Sequence, residues 1–147
     1  MPMTFDELVK LGIQKESTTE AFYRLWASKL ADPGARALLS ELADEEAKHR
    51  VFFGNLKEPD VQQGQAADVL DLHMSDYLVP KEISEDSSTQ DVLISAIHRE
   101  AGAIKFFTDL AAQAGTMQST FENLAAEEKK HKLRLETFYD DYILTED

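Results

Sequence analysis

Two short stretches, "LADEEAKH" at 42–49 and "LAAEEKKH" at 124–131, repeat the same order of side chains at an offset of 82 residues. In each, a glutamate stands three residues before a histidine: Glu46 and His49, then Glu128 and His131. On a helix, residues three apart are neighbours on one side, so each pair can aim a carboxylate and an imidazole at one point. A single such pair is usually surface decoration, but a repeated pair is a candidate metal-binding unit. Two further stretches, "KESTTEAFY" at 15–23 and "REAGAIKFF" at 99–107, are related at an offset of 84 and contribute Glu16 and Glu100. The doubling predicts two helical hairpins related by an internal pseudo-twofold.

The elements that carry these residues follow from apolar periodicity and from the scarcity of breakers, 6 Gly and 4 Pro in 147 residues. The pattern predicts helices over 4–31, 33–57, 89–114 and 119–144, with a connection over 58–88 interrupted by Pro59, Gly64 and Pro80. Thr4 with Glu7 fits a capping box, and Asp32 followed by Pro33 fits the start of the second helix. Helices of about 25 residues are rods of roughly 38 Å, and short turns force each flanking pair antiparallel. The fold class predicted is all-α: a four-helix bundle of two antiparallel hairpins joined by one long crossover, a single domain over 1–147.

Side chains advance about 100° per residue, which places each polar residue on a face. Glu16 shares its direction with Phe5, Val9, Gly12, Tyr23, Ala27 and Leu30, and Glu100 with Leu93, Ala96, Ile104, Phe107, Ala111 and Ala114. His49 lies with Leu38, Leu42, Phe53 and Leu56, and His131 with Leu124, Leu135, Phe138 and Tyr142. Six polar groups are thus expected in the core. Burying an unpaired carboxylate costs several kcal/mol, against a total stability of about 5–15 kcal/mol. Lys48, Arg50, Arg99, Lys129 and Lys130 fall toward the sides or outside. Two divalent cations would neutralise the four carboxylates, with one neutral imidazole nitrogen for each metal. Oxygen-rich ligation with one histidine per metal suits iron or manganese, with zinc an alternative, in a paired site with bridging carboxylates.

Glu20 lies about 40° from Glu16 and is either a seventh ligand or an outer acceptor. Glu45 and Glu127 lie a similar step from the histidines and read as half-buried positions or as partners of a ligand rather than ligands. Tyr23 reads as core with a hydroxyl able to reach a ligand carboxylate. Trp26, Phe52, Phe53 and Phe106 are assigned to packing; His98 points away from Glu100, and His73 falls in the crossover.

Composition removes other classes. Acidic residues outnumber basic ones 28 to 15, for a formal charge of -13, which disfavours nucleic acid and anionic membrane surfaces. The absence of cysteine excludes disulfides, thiolate zinc sites and cysteine nucleophiles. The start "MPMTFDELVK" has no leader pattern, and no apolar run is long enough to span a bilayer, so a cytoplasmic protein is expected.

One Glu from each of two helices plus a Glu-x-x-His from each of the other two is the ligand set of ferritin-like di-iron and di-manganese carboxylate proteins. In "ESTTEAFY", "EEAKH", "EAGAIKFF" and "EEKKH", in this order along almost the whole chain, the sequence resembles the rubrerythrin branch of that superfamily. The resemblance implies a ferritin-like bundle with Glu16, Glu46, His49, Glu100, Glu128 and His131 holding two iron ions, and a homodimer. It implies reduction of hydrogen peroxide or dioxygen at that centre. Rubrerythrins typically add a four-cysteine rubredoxin-like domain that supplies electrons; this chain has no cysteine, so the donor is expected to be a separate protein. Ala103 stands where rubrerythrins place an additional glutamate one turn after the third-helix ligand, which puts their redox-linked iron shift in doubt here. The alternative functions are ferritin-like iron oxidation, storage or metal handling, and a metal-free helical interaction module.

Overall fold

The computed structural model describes residues 4–57, 83–113 and 117–146. Four helices carry the chain: α1 (Phe5–Lys29), α2 (Pro33–Asn55), α3 (Thr89–Gln113) and α4 (Gln118–Glu146), with no strand among the described residues. Every helix falls within two residues of its expected bounds. Most of the connection, residues 58–82 with Pro59, Gly64, His73 and Pro80, lies outside the described residues.

The starts are set by local chemistry. Thr4 Oγ1 accepts from the Glu7 amide at 3.1 Å, and Asp32 Oδ2 accepts from the Ala35 amide at 2.8 Å with Pro33 at the first position of α2. Ser88 caps α3 reciprocally: its hydroxyl accepts from the Asp91 amide at 3.1 Å, and its own amide reaches Asp91 Oδ2 at 3.4 Å. Each cap satisfies amides that have no partner inside their helix.

Packing gives the topology. One apolar cluster joins Leu8 at the start of α1 to Phe53 at the end of α2, to Phe107 and Leu110 late in α3, and to Phe121 early in α4. The other joins Trp26 and Leu30, Ala35 and Leu39, Val92 and Leu93, and Leu135. Helix α2 therefore ends at one end of the bundle and α3 begins at the other, so the connection between Lys57 and Ile83 starts and finishes at opposite ends. Helices α2 and α3 run the same way, and each packs against the antiparallel partner of its hairpin. The second hairpin is the first turned upside down, as an internal twofold requires.

The aromatic end closes on a glycine. Phe53 is fully buried, stacked between Phe107 at 6.0 Å and Phe121 at 6.3 Å, and its ring fills the space where a Gly12 side chain would stand: a Cβ there would lie 2.4 Å from the ring. Replacing a mid-helix glycine by alanine normally gains up to about 1 kcal/mol of helix propensity. Here overpacking, typically about 1–3 kcal/mol, opposes that gain because the ring is held on both faces. Gly12→Ala is expected to lower unfolding free energy by roughly 1–2 kcal/mol, read from the midpoint of a urea titration at unchanged slope; a stabilised variant would contradict this packing.

Candidate metal centre

Between the two apolar clusters the core turns polar. Glu16 from α1, Glu46 and His49 from α2, Glu100 from α3, and Glu128 and His131 from α4 are all buried, none more than 6% exposed. All lie mid-helix, where the backbone donors and acceptors are already paired, so only the side chains bring polar need into the core. Their atoms form two groups: Glu16, Glu46, His49 and Glu128, and Glu46, Glu100, Glu128 and His131. In each group, one donor atom per residue lies within 4.8 Å of all the others. Glu46 and Glu128 belong to both.

Distances show how the groups share them. His49 Nδ1 lies 3.0 Å from Glu128 Oε1, 3.5 Å from Glu16 Oε2 and 3.6 Å from Glu46 Oε2. His131 Nδ1 lies 3.2 Å from Glu46 Oε1, 3.6 Å from Glu128 Oε1 and 3.7 Å from Glu100 Oε1. Glu46 thus turns one oxygen to each histidine, the arrangement of a bridging carboxylate. The two imidazoles lie nearly parallel, 6.2 Å apart.

Five basic side chains on α1, α2 and α3 are engaged elsewhere. Arg24 and Arg50 hold Glu20 at 2.9 and 3.1 Å, Lys48 holds Glu45 at 3.3 Å, Arg99 lies over the Phe22 ring at 4.1 Å, and Lys15 lies over Phe106 at 5.3 Å. Glu20 falls outside both groups: its two oxygens face the two arginines, so the structure makes it the anchor of a surface ion-pair network. Tyr23 is fully buried and donates its hydroxyl to Glu100 Oε1. Burial, with Glu100 and Glu46 beside it, pushes the phenol well above its usual range and keeps it a donor. Trp26, Phe53 and Phe106 are buried in packing, Phe52 is half-buried, and His98 is exposed.

The periodicity of single helices did not distinguish Glu127 from Glu45. Glu127 Oε2 lies 2.7 Å from His49 Nε2, across the α2–α4 contact. The Phe107 ring stands edge-on to His49 at 6.1 Å. The signal in the sequence was the "EE" doublet of both motifs, but which doublet reaches a histidine depends on how α2 and α4 are rotated.

The donor set fits a metal pair. Glu16 Oε2, His49 Nδ1, Glu100 Oε2 and both oxygens of Glu128 are buried without an aligned hydrogen-bond partner. Each such orphan costs about 1–3 kcal/mol, and here the orphans converge on two points. Donors around a metal at about 2.0–2.2 Å stand at most roughly 4.4 Å apart, so a few tenths of an ångström of inward movement would close each group.

Protons fill this role in the bare protein. Burial pushes Glu16 well above the usual carboxyl range, reinforced by Glu46; burial does the same to Glu128, reinforced by Glu100. Burial works against a charged ring at His49, but Glu128, Glu16 and Glu46 outweigh it and raise the imidazole far above its usual value. At His131, Glu100 and Glu46 likewise outweigh burial and push it up to about 9. Burial also opposes ionisation of Glu46, yet Glu16, His131 and His49 hold its carboxylate far below the ordinary range.

Residues 91–147 match the rubrerythrin family model. Over that segment the chain is similar to rubrerythrins. The match spans α3 and α4 with Glu100, Glu128 and His131, while α1 and α2 carry the repeat-related Glu16, Glu46 and His49. No curated protein and no solved structure matches the chain. A buried carboxylate and histidine cluster in a four-helix bundle whose residues 91–147 match that family is compatible with a di-iron carboxylate protein.

Linkage gives the pH behaviour. A histidine raised from 6.5 to about 9 on folding adds stability that is complete below pH 6.5 and lost as pH rises through 9. For His131 alone that is on the order of 3 kcal/mol. Glu16 and Glu128, also raised, lose stability in the same direction above the usual carboxyl range. Chelator-treated protein is therefore expected to lose thermal stability between pH 6.5 and 9, with metal-loaded protein changing much less, and metal uptake at pH 7 is expected to release protons. Calorimetric titration in buffers of different ionisation enthalpy measures the release; uptake without proton release would contradict the protonated cage.

Proposed function

We propose that the six side chains hold two redox-active metal ions, iron or manganese, and that the protein reduces hydrogen peroxide or dioxygen with electrons from a separate donor protein. The observation that carries this reading is the sharing of Glu46 and Glu128 between two buried donor groups, each with one histidine. No cysteine stands among these 147 residues to hold a thiolate-bound electron carrier. A homodimer is part of the proposal, as the rubrerythrin resemblance implies.

When bound, two metals that each change oxidation state by one would supply the two electrons that convert hydrogen peroxide and two protons to two waters. The rest is done by the chain. Glu46 and Glu128 would be shared between the two ions, Glu16 and Glu100 would each serve one, and the imidazole Nδ1 atoms would complete the two donor sets. Tyr23 fixes Glu100 by donating to Oε1, and Oε2 stays buried without an aligned partner. The Phe53, Phe107 and Phe121 stack, with Phe107 edge-on to His49, sets apolar surface against the cage on that end of the bundle, so charges in the cage are felt at low dielectric.

Anaerobic protein loaded with ferrous ion and mixed with peroxide in a stopped-flow device is expected to oxidise at least tenfold faster than free ferrous ion; an equal rate would refute the reading. Turnover on adding a reductant protein separates peroxide reduction from the single oxidation that iron storage needs. Metal content distinguishes the roles of the glutamates. Glu46→Ala and Glu128→Ala are expected to lose both ions, whereas Glu16→Ala and Glu100→Ala lose about one, checked by elemental analysis of purified protein. Equal losses from all four would remove the bridging assignment.

A further inference from the structure

The two donor groups are related by the repeat but are not equivalent. His49 Nε2 lies 2.7 Å from Glu127 Oε2, and Glu127 is half exposed, so one face of this contact is wet and the other is cage. A carboxylate oxygen is the acceptor of such a contact and the ring nitrogen its donor, which puts the hydrogen on Nε2. In a neutral ring that leaves the Nδ1 lone pair pointing at Glu16, Glu46 and Glu128. The repeat mate of Glu127 is Glu45, at the same offset of 82 as the rest of the motif. Glu45 does not take the same position: Lys48 holds it at 3.3 Å on the surface of α2. The repeat mates Tyr23 and Phe107 differ in the same sense. Tyr23 donates to Glu100 in the His131 group, while Phe107 sets an apolar edge against His49.

Resting on the reading of the cage as a metal centre, we propose that Glu127 is a positioning residue that fixes the tautomer and orientation of His49, making the Glu16–His49 position the tighter of two unequal metal sites. A hydrogen-bonded carboxylate behind a ligating imidazole raises its basicity and holds the ring, and loss of such a partner typically costs about 10–100-fold in metal affinity. The contact also ties α4 to α2 at the level of the cage, so it orients the ring through an element other than the one that carries it.

The experiment uses the full chain, stripped by chelation and titrated with cobalt(II), whose ligand-field bands follow each site separately. The wild-type protein is expected to bind two ions in resolved steps. Glu127→Ala is expected to weaken the tighter step about 10–100-fold, Glu127→Gln, which keeps an acceptor, to recover most of that loss, and Glu45→Ala to change neither step. A second readout is independent of affinity. In zinc-loaded protein, nitrogen-correlated NMR is expected to show His49 as the Nε2–H tautomer with a slowly exchanging proton that is lost in Glu127→Ala. Glu127 is half exposed, so the variants fold, and unchanged far-ultraviolet circular dichroism checks it. If the wild type binds two ions and Glu127→Ala binds both as tightly, or if Glu45→Ala loses as much, the positioning role is overturned while the metal centre stands. If the wild type takes up no ion, the metal centre itself is overturned.

Discussion

Four carboxylates stand in the centre of this bundle with no ammonium or guanidinium group of the described residues placed among them, and that constraint orders the rest of the structure. Paired buried charges are tolerable only when geometry is good and every lone pair has a partner. The six side chains must therefore meet at one level, which requires long helices that present them from mid-helix and a topology that keeps the hairpins in register. The exchange of ends between Lys57 and Ile83 serves this register. It inverts the second hairpin, so that α3 opposes α1 and α4 opposes α2. Side chains on a helix lean toward its N-terminus, and inversion lets Glu16 and Glu100 lean toward each other's group from opposite directions.

The apolar core divides to make room for the cage. One end is aromatic, with Phe53, Phe106, Phe107 and Phe121 in mutual contact. The other is mainly aliphatic, with Tyr23, Trp26 and Phe22 on α1. Because the cage lies between them, its two groups meet different walls. The twofold that relates the carboxylates is thus broken in the side chains that surround them: an apolar ring edge and an outer carboxylate at His49, a phenol hydroxyl on Glu100 in the His131 group. A pair of metals held there would not share one potential or one affinity, since hydrogen bonding and local polarity tune both.

The parts of this arrangement that depend on one helix at a time were legible in the sequence. Helix bounds followed from periodicity and caps, and the inward direction of Glu16, Glu46, His49, Glu100, Glu128 and His131 followed from the apolar residues sharing their faces. What depends on two helices was not. Glu20 sits on the inner side of α1 by angle, but its distance from the cage is decided by Arg24 and by Arg50 of α2, which draw its carboxylate outward. Glu45 and Glu127 have the same angle to their histidines, yet the rotation of α4 against α2 brings only Glu127 to an imidazole. Gly12 read as a small residue on a core face, and only the packing of α1 against α2 shows that it clears space for Phe53.

The protonation pattern explains how such a core can fold before any metal arrives. Burial raises Glu16 and Glu128 so that they hold protons, while both histidines take protons from the same cluster. Each added proton cancels a charge that the core could not otherwise tolerate, at the cost of leaving carboxylate oxygens and an imidazole nitrogen without aligned partners. Protons neutralise, but they do not organise: each satisfies one donor–acceptor pair, whereas a divalent ion gathers several donors at once. The bare cage is therefore neutralised yet under-satisfied, and the remaining free energy lies in exchanging protons for cations rather than in refolding the bundle. The orphaned oxygens that make the metal-free core less stable than an apolar one are the same atoms that would make the exchange favourable.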